Sequence, residues 1–337
     1  MKPTTDSFMI DRFFASLPWP RRWSVAMIGV ILLLIPLALV WLTDRSDWFL
    51  ALGVRGFVIV FPGIVTVYLL IVVHLLQRTR ERVALALRPL LQIDDETFVA
   101  VVRRACRANP VGELVGTGVG IIFFLAVVGP PGVSPNQEYN WVGVYYYIGS
   151  MIMFGTIGWS VYAVIVISRL TNQLLRQPIE IDIFDVTPFE PIGMQSLYLS
   201  LSFVGTIVIT FPSSPYALPS WQNVLILSAL ILISVLVFFV NMYSTHRLLA
   251  STKKRQIAIV ERQFAQTYHQ LLELANYRQD IHSATTELNA WAVAKHELLL
   301  TRSWPYNTEM IRTLFASVLV PIMVGLGRIV GPLLIRQ

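Results

Sequence analysis

The stretch from Val224 to Met242 reads VLILSALILISVLVFFVNM and contains no charged residue. Its 19 residues are close to the roughly 20 that an α-helix needs to cross the hydrocarbon core of a bilayer. A backbone within lipid must satisfy its own hydrogen bonds, which a helix does. The stretch therefore predicts a transmembrane helix.

Similar apolar stretches recur along the whole chain. Of its 337 residues, 55% are hydrophobic and 14% are charged, whereas a soluble domain carries about 25% charged residues. The apolar runs predict seven spans, at residues 23–42, 50–76, 111–128, 142–167, 194–211, 224–242 and 311–335. We therefore predict an all-α polytopic integral membrane protein surrounded by the lipid bilayer.

The distribution of basic residues predicts the orientation. With a cytoplasmic N-terminus, 22 of the 26 lysines and arginines fall on the inner side, as the positive-inside rule expects. Seven spans then place the C-terminus outside a multi-pass protein of the plasma membrane. The net charge of +6 belongs to loops near anionic headgroups, and no pattern typical of nucleic-acid binding accompanies it.

The sequence between Ser220 and Trp304 contains neither glycine nor proline. The sixth span is therefore predicted to continue into the cytoplasm as a long helix. Beyond the span, apolar residues at spacings of three and four form a short coiled-coil-like seam. The residues proposed as an oligomer or partner seam are Ile257, Val260, Phe264, Leu271 and Leu274.

This helix must turn back, because the chain re-enters the bilayer by about residue 311. A turn near residues 277–283 predicts a cytoplasmic helical hairpin between spans six and seven. The chain is thus divided into a membrane domain of six spans (1–243), the hairpin (244–304) and the final span (305–337).

No residue pattern is typical of a catalytic or metal site. The single cysteine, Cys106, excludes an internal disulfide or a cysteine metal cluster. The glycine-rich stretch Gly112–Phe123 (GELVGTGVGIIF) lies inside a span, where small residues favour close helix packing rather than phosphate binding. The acidic segment Glu180–Glu190 is interpreted as a solvated linker, with a cation or partner site as the alternative. We predict no enzymatic activity, no cofactor and no metal ion.

The final span contains an arginine among helix-breaking residues. Its central part, residues 318–334, reads VLVPIMVGLGRIVGPLL. The pore or gating candidates are Arg328, Gly325, Gly327, Pro321 and Gly331. A ring of such arginines around a symmetry axis would select anions. Alternatively, the arginine snorkels to the headgroups from a helix whose glycines serve packing.

These features favour a homo-oligomeric membrane channel or pore, with anion conduction as one form of it. Its last span would lie near the axis, and the hairpin would act as anchor or gate. The alternative is a non-catalytic membrane scaffold or signalling protein whose hairpin docks a cytoplasmic protein partner. A secondary transporter would show broken helices in repeated halves, and the sequence contains no convincing internal repeat.

Overall fold

The computed structural model describes Phe8, Arg12, Met323 and residues 21–42, 54–129, 141–210, 220–277, 280–301 and 309–319. Almost all of these residues are helical. Apart from one antiparallel bridge, between Leu91 and Ile179, they contain no β-structure. The all-α class predicted from the sequence is confirmed for this part of the chain.

The helices follow one another with short connections. In chain order they are α1 (Arg21–Leu42), α2 (Val54–Leu87), α3 (Asp95–Cys106), α4 (Pro110–Val128), α5 (Trp141–Leu174), α6 (Glu190–Thr210), α7 (Ser220–Asn276), α8 (His282–Leu300) and α9 (residues 309–319). Single turns of 3₁₀-helix, Arg88–Leu90 and Thr187–Phe189, follow α2 and precede α6.

Five helical segments of the described chain are long and apolar enough to cross a membrane: Ile59–Leu90, Asp95–Val128, Gly143–Leu174, Thr187–Thr210 and Trp221–Asn276. A shorter apolar stretch, Met27–Pro36, lies in α1. This architecture matches an all-α membrane protein. Of the predicted span 311–335, only residues 311–319 and Met323 are among those described.

Helices α3 and α4 begin where side chains can cap them. The Asp94 carboxylate accepts a hydrogen bond from the backbone N–H of Thr97 (3.0 Å), as an N-cap residue does. Hydrogen bonds from the side chain and backbone of Thr97 lower the pKa of Asp94. Asn109 caps α4 by accepting from the Val111 N–H (3.1 Å), and Pro110 occupies the first helical position. Helix α3 ends at Cys106, and the Asn-Pro pair that follows it begins α4.

The centre of the bundle is α5, which contacts α1, α2, α3, α4 and α7. It meets α4 backbone to backbone. A Cβ atom at Gly120 would overlap the carbonyl oxygen of Phe154, and one at Gly158 would overlap that of Gly116. Gly118, by contrast, faces open space. The close packing predicted for the glycine-rich stretch is confirmed.

Helix α7 runs without interruption for 57 residues, about 85 Å at 1.5 Å per residue. Its first part is apolar and its second part is charged. Helix α8 packs against the charged part in the opposite direction. An ion pair joins Lys295 Nζ to Glu261 Oε1 (2.9 Å) across the two helices.

We predict that Gly120→Ala lowers the free energy of unfolding by about 1–3 kcal/mol, as overpacking of a close-packed interface does. The Phe154 carbonyl is part of a helix backbone and cannot move aside as a flexible side chain would. Unfolding by SDS titration of the purified protein would measure the effect.

Gly118→Ala is the matched control. It should be neutral or stabilising, because alanine is the better helix former by about 1 kcal/mol and its Cβ meets no neighbour. Equal losses in the two variants would show that the backbone contact does not limit packing.

Candidate functional site

The residues that the sequence singled out in the final span lie outside the described residues. These are Pro321, Gly325, Gly327, Arg328 and Gly331. The helix that leads to them is described as α9, and the site is therefore built from α9 and the helices that hold it.

One face of α9 packs onto α6 and α7. Met310, Leu314 and Val318 recur every four residues along α9, and all three are buried. They form one apolar cluster with α6 residues Leu197 and Val204 and α7 residues Phe238 and Met242. This spacing gives α9 a single apolar stripe in contact with the bundle.

The other side of α9 has no covering helix in the described part of the chain. It exposes Glu309, Arg312 and Thr313 near the start of the helix and apolar side chains further along. Phe315 is 60% exposed, Leu319 is 56% exposed and Met323, just beyond α9, is 59% exposed. The segment therefore presents apolar side chains in two directions, and the bundle covers only one of them.

Beside the α9 contact, α6 and α7 meet through polar side chains. We call this set the polar seam, and every member is at most 1% exposed. Its members are Gln195, Ser196 and Ser200 of α6 and Ser234, Asn241 and Thr245 of α7. Ser196 and Asn241 each precede a residue of the α9-binding cluster, Leu197 and Met242.

Hydrogen bonds cross the polar seam at two levels. The Asn241 side-chain amide donates to Ser196 Oγ, and Ser200 Oγ donates to the Ser234 carbonyl (2.8 Å). On the α5 side, Thr171 Oγ1 donates to Gln195 Oε1 (3.2 Å). Small hydroxyl residues both permit the close approach of apolar helices and bond across them.

Some polar atoms of the seam have no hydrogen-bond partner among the described residues. They are the amide nitrogen of Gln195, the amide oxygen of Asn241 and the hydroxyl of Thr245. Buried polar atoms in proteins almost always have a partner, and ordered water commonly supplies it. Water in the seam could accept a hydrogen bond from the Gln195 amide nitrogen and donate one to the Asn241 amide oxygen or the Thr245 hydroxyl.

The chain that leads into α9 is fastened to α7. Lys253 Nζ of α7 donates to the carbonyl oxygens of Leu299 (2.9 Å) and Thr301 (2.7 Å). These carbonyls lie at the C-terminal end of α8, where a basic side chain satisfies acceptors that the helix leaves unpaired. Only residues 302–308 separate this attachment from α9.

The structure places the predicted oligomer or partner seam against α8 of the same chain. Val260 is buried in a cluster with Leu298 of α8 and Ile183, and Ile257 packs against that cluster. Phe264, Leu271 and Leu274 are partly buried. At Val260, at least, the predicted oligomer or partner seam therefore packs against residues of the same chain.

The acidic segment before α6 has structural roles. Asp182 Oδ1 accepts from the Phe184 N–H (2.9 Å), and Asp185 Oδ1 accepts from the Thr187 N–H (3.0 Å), which closes two tight turns. Among the described residues, no three acidic, histidine or cysteine side chains form a group that could hold a metal ion. These bonds support the linker interpretation.

Reasoning from the sequence missed the polar seam. Asn241 and Gln195 are amides inside apolar stretches, and such residues are a signal because polar groups there usually face protein or water. The signal was weaker than that of Arg328 because these side chains carry no charge.

No family model, no curated protein and no solved structure matches this chain.

We predict that Asn241→Leu, which keeps the branched shape of the side chain and removes its amide, lowers the free energy of unfolding by about 0.6–1.7 kcal/mol. These values are the average and the maximum for hydrogen bonds between membrane helices. SDS titration monitored by tryptophan fluorescence would measure it. Val240→Leu changes the exposed neighbour and should stay within about 0.5 kcal/mol of wild type. If the two variants are equally stable, the bond to Ser196 does not hold α6 against α7.

Proposed function

We propose that the protein is a homo-oligomeric membrane channel, with the last span near the symmetry axis and the helical hairpin of α7 and α8 as its cytoplasmic anchor or gate. In this proposal the chain crosses the plasma membrane seven times, from a cytoplasmic N-terminus to an outer C-terminus. The strong bias of lysine and arginine toward one side supports that topology.

The observation that carries the proposal is the two-sided apolar character of α9 and its continuation. Met310, Leu314 and Val318 bind the helix to its own bundle, while Phe315, Leu319 and Met323 stay exposed. A helix of this kind can pack against the same helix of neighbouring copies. Arg328 then lies further along the same span, where arginine rings are known to select anions.

The attachments of α9 support a gating role for the hairpin. Lys253 holds the end of α8 to α7, so a displacement of the hairpin is transmitted through a short connection to α9. Behind α9, three buried polar atoms of the seam have no partner among the described residues, and ordered water commonly satisfies such atoms.

We expect anion flux from proteoliposomes containing the wild-type protein and a shift toward cation flux for Arg328→Glu. The reason is that reversing the charge of a pore-lining ring reverses the sign of the ions it stabilises. Chloride and potassium fluxes under imposed voltages would measure the selectivity of the wild type and of the variant.

Arg336→Glu makes the same charge change close to the end of the chain and should leave the selectivity unaltered. Absence of flux from well-folded oligomers, at several voltages and osmotic gradients, would refute the channel. A selectivity change of the same size in both variants would instead indicate a general surface-charge effect.

The exposed side of α9 can be tested by cross-linking. In a Cys106→Ala background, we expect Leu319→Cys to form disulfide-linked dimers on mild oxidation, because Leu319 would face a neighbouring copy. Val240→Cys, on a 66% exposed position of α7, should remain monomeric on denaturing gels. Cross-linking at residue 240 and not at residue 319 would place the oligomer contact on α7 and contradict the proposed axis.

The second candidate is a membrane scaffold or signalling protein whose hairpin docks a soluble partner. It is favoured by large apolar side chains that remain exposed on α7 and α8, namely Ile259, Tyr268, Leu272 and Val293. A scaffold requires no flux, and a stable monomer that conducts nothing would favour it over the channel.

A further inference from the structure

A deep apolar groove runs between α4, α5 and α7. It has a volume of about 430 Å³, within the range of roughly 300–1,000 Å³ typical of ligand clefts. Gly116 and Val119 line it from α4, Ile157 and Val161 from α5, and Ala229 and Ile233 from α7. The groove is open on one side.

The groove runs beside the contact between α4 and α5. Gly112, Gly116 and Gly120 line it on the α4 side, and at each of them α5 already occupies the place that a side chain would take. The open space lies next to this contact, on the side of α7.

The lining offers almost nothing to a polar ligand. Tyr162 carries the only polar side-chain atom among the lining residues. Its hydroxyl accepts from the Asn109 N–H (2.9 Å) and donates to the Asn109 carbonyl (3.1 Å). Because this hydroxyl is already paired, an occupant must be apolar along its whole length.

The length of the groove fits one leaflet. Along α4 it extends from Gly112 to Phe123, about 16 Å at 1.5 Å per residue. The hydrocarbon core is about 30 Å thick, so the groove matches the extent of a single acyl chain within half of it.

Among the described residues, arginines lie in the chain shortly before the Gly112 end of the groove and not near its other end. Arg103, Arg104 and Arg107 are exposed at the end of α3, and Arg107 is two residues before the Asn109 that bonds to Tyr162. Glu113, the nearest acid on α4, is buried and accepts from Trp159 Nε1 (2.9 Å). The described chain near the other end, residues 123–129, 141–154 and 220–226, contains no lysine or arginine.

The last helix uses another part of α7. Helix α9 packs with Phe238 and Met242, and Ile231 borders that cluster, whereas the groove is lined by Ala229, Leu230 and Ile233. The groove therefore stays open when α9 is in place.

We propose that this groove binds one acyl chain of an anionic phospholipid, whose headgroup pairs with Arg103, Arg104 and Arg107. The apolar lining favours an acyl chain over a polar ligand, and the length of the groove confines that acyl chain to one leaflet. The arginines favour a negatively charged headgroup. Such clusters of basic residues at the inner surface attract anionic lipids.

Native mass spectrometry of the delipidated full chain tests this proposal, with dioleoyl-phosphatidylglycerol and dioleoyl-phosphatidylcholine added in turn. We expect one phosphatidylglycerol to be retained at least tenfold more strongly than phosphatidylcholine. Val119→Trp, which fills the groove, should reduce that retention at least tenfold. Ile122→Trp, on the same helix and outside the groove lining, should leave it unchanged. Val119 is 59% exposed and Ile122 is 66% exposed, so neither tryptophan disturbs a buried core.

The headgroup contact is tested by Arg104→Gln with Arg107→Gln. This double variant should bind phosphatidylglycerol no better than phosphatidylcholine, whereas Arg262→Gln, on the distant charged part of α7, should behave as wild type.

Equal retention of the two lipids by the wild type, or equal effects of the two tryptophans, would overturn the proposal. A change of oligomer mass in Val119→Trp with unchanged lipid retention would show that a second copy occupies the groove. Lipid retention is measured without ion flux, so these outcomes are independent of the channel proposal.

Discussion

The direct backbone contact between α4 and α5 sets the positions of the other helices. Lipid gives two apolar helices little hydrophobic reason to associate, so close packing must supply the attraction. The glycines at 116, 120 and 158 make that approach possible. Around them, Trp159 bonds to the buried Glu113 and Tyr162 bonds to Asn109, which fixes the register of the two helices at the end nearest α3.

A different kind of interface joins α6 to α7. Here small hydroxyl residues and amides meet, and several of their polar atoms are left for water to satisfy. The two interfaces thus hold their helices by different means, and α9 packs against the second pair, α6 and α7.

The long helix α7 takes part in all of these regions. It carries the groove wall near its beginning, the polar seam further along and Lys253 beyond the apolar part. Ile183, in the segment between α5 and α6, packs beside Val260 of α7 and Leu298 of α8. The charged part of α7 is thus in contact both with α8 and with the segment that precedes α6.

The helical class and the long uninterrupted helix could both be read from the sequence. Each depends on residues that are near one another in the chain, such as the glycine- and proline-free stretch after Ser220. The glycine-rich stretch in α4 even predicted its own close packing, because only small residues tolerate such an approach. Its partner, Gly158, could not be chosen in advance among the glycines of the other spans.

The polar seam and the groove could not be read in the same way. Asn241 lies 45 residues from Ser196, and no local spacing indicates that these two side chains meet. The groove exists because α7, which is distant in sequence, packs beside the contact between α4 and α5 and leaves a space among the three helices. Likewise, the sequence alone does not decide whether Val260 contacts another copy or the same chain, whereas in the structure Leu298 of α8 packs against it. The spacing of residues along the chain was sufficient to predict each helix and its apolar stripe. Which helix faces meet was decided only in the folded protein, because it depends on shape complementarity between distant segments.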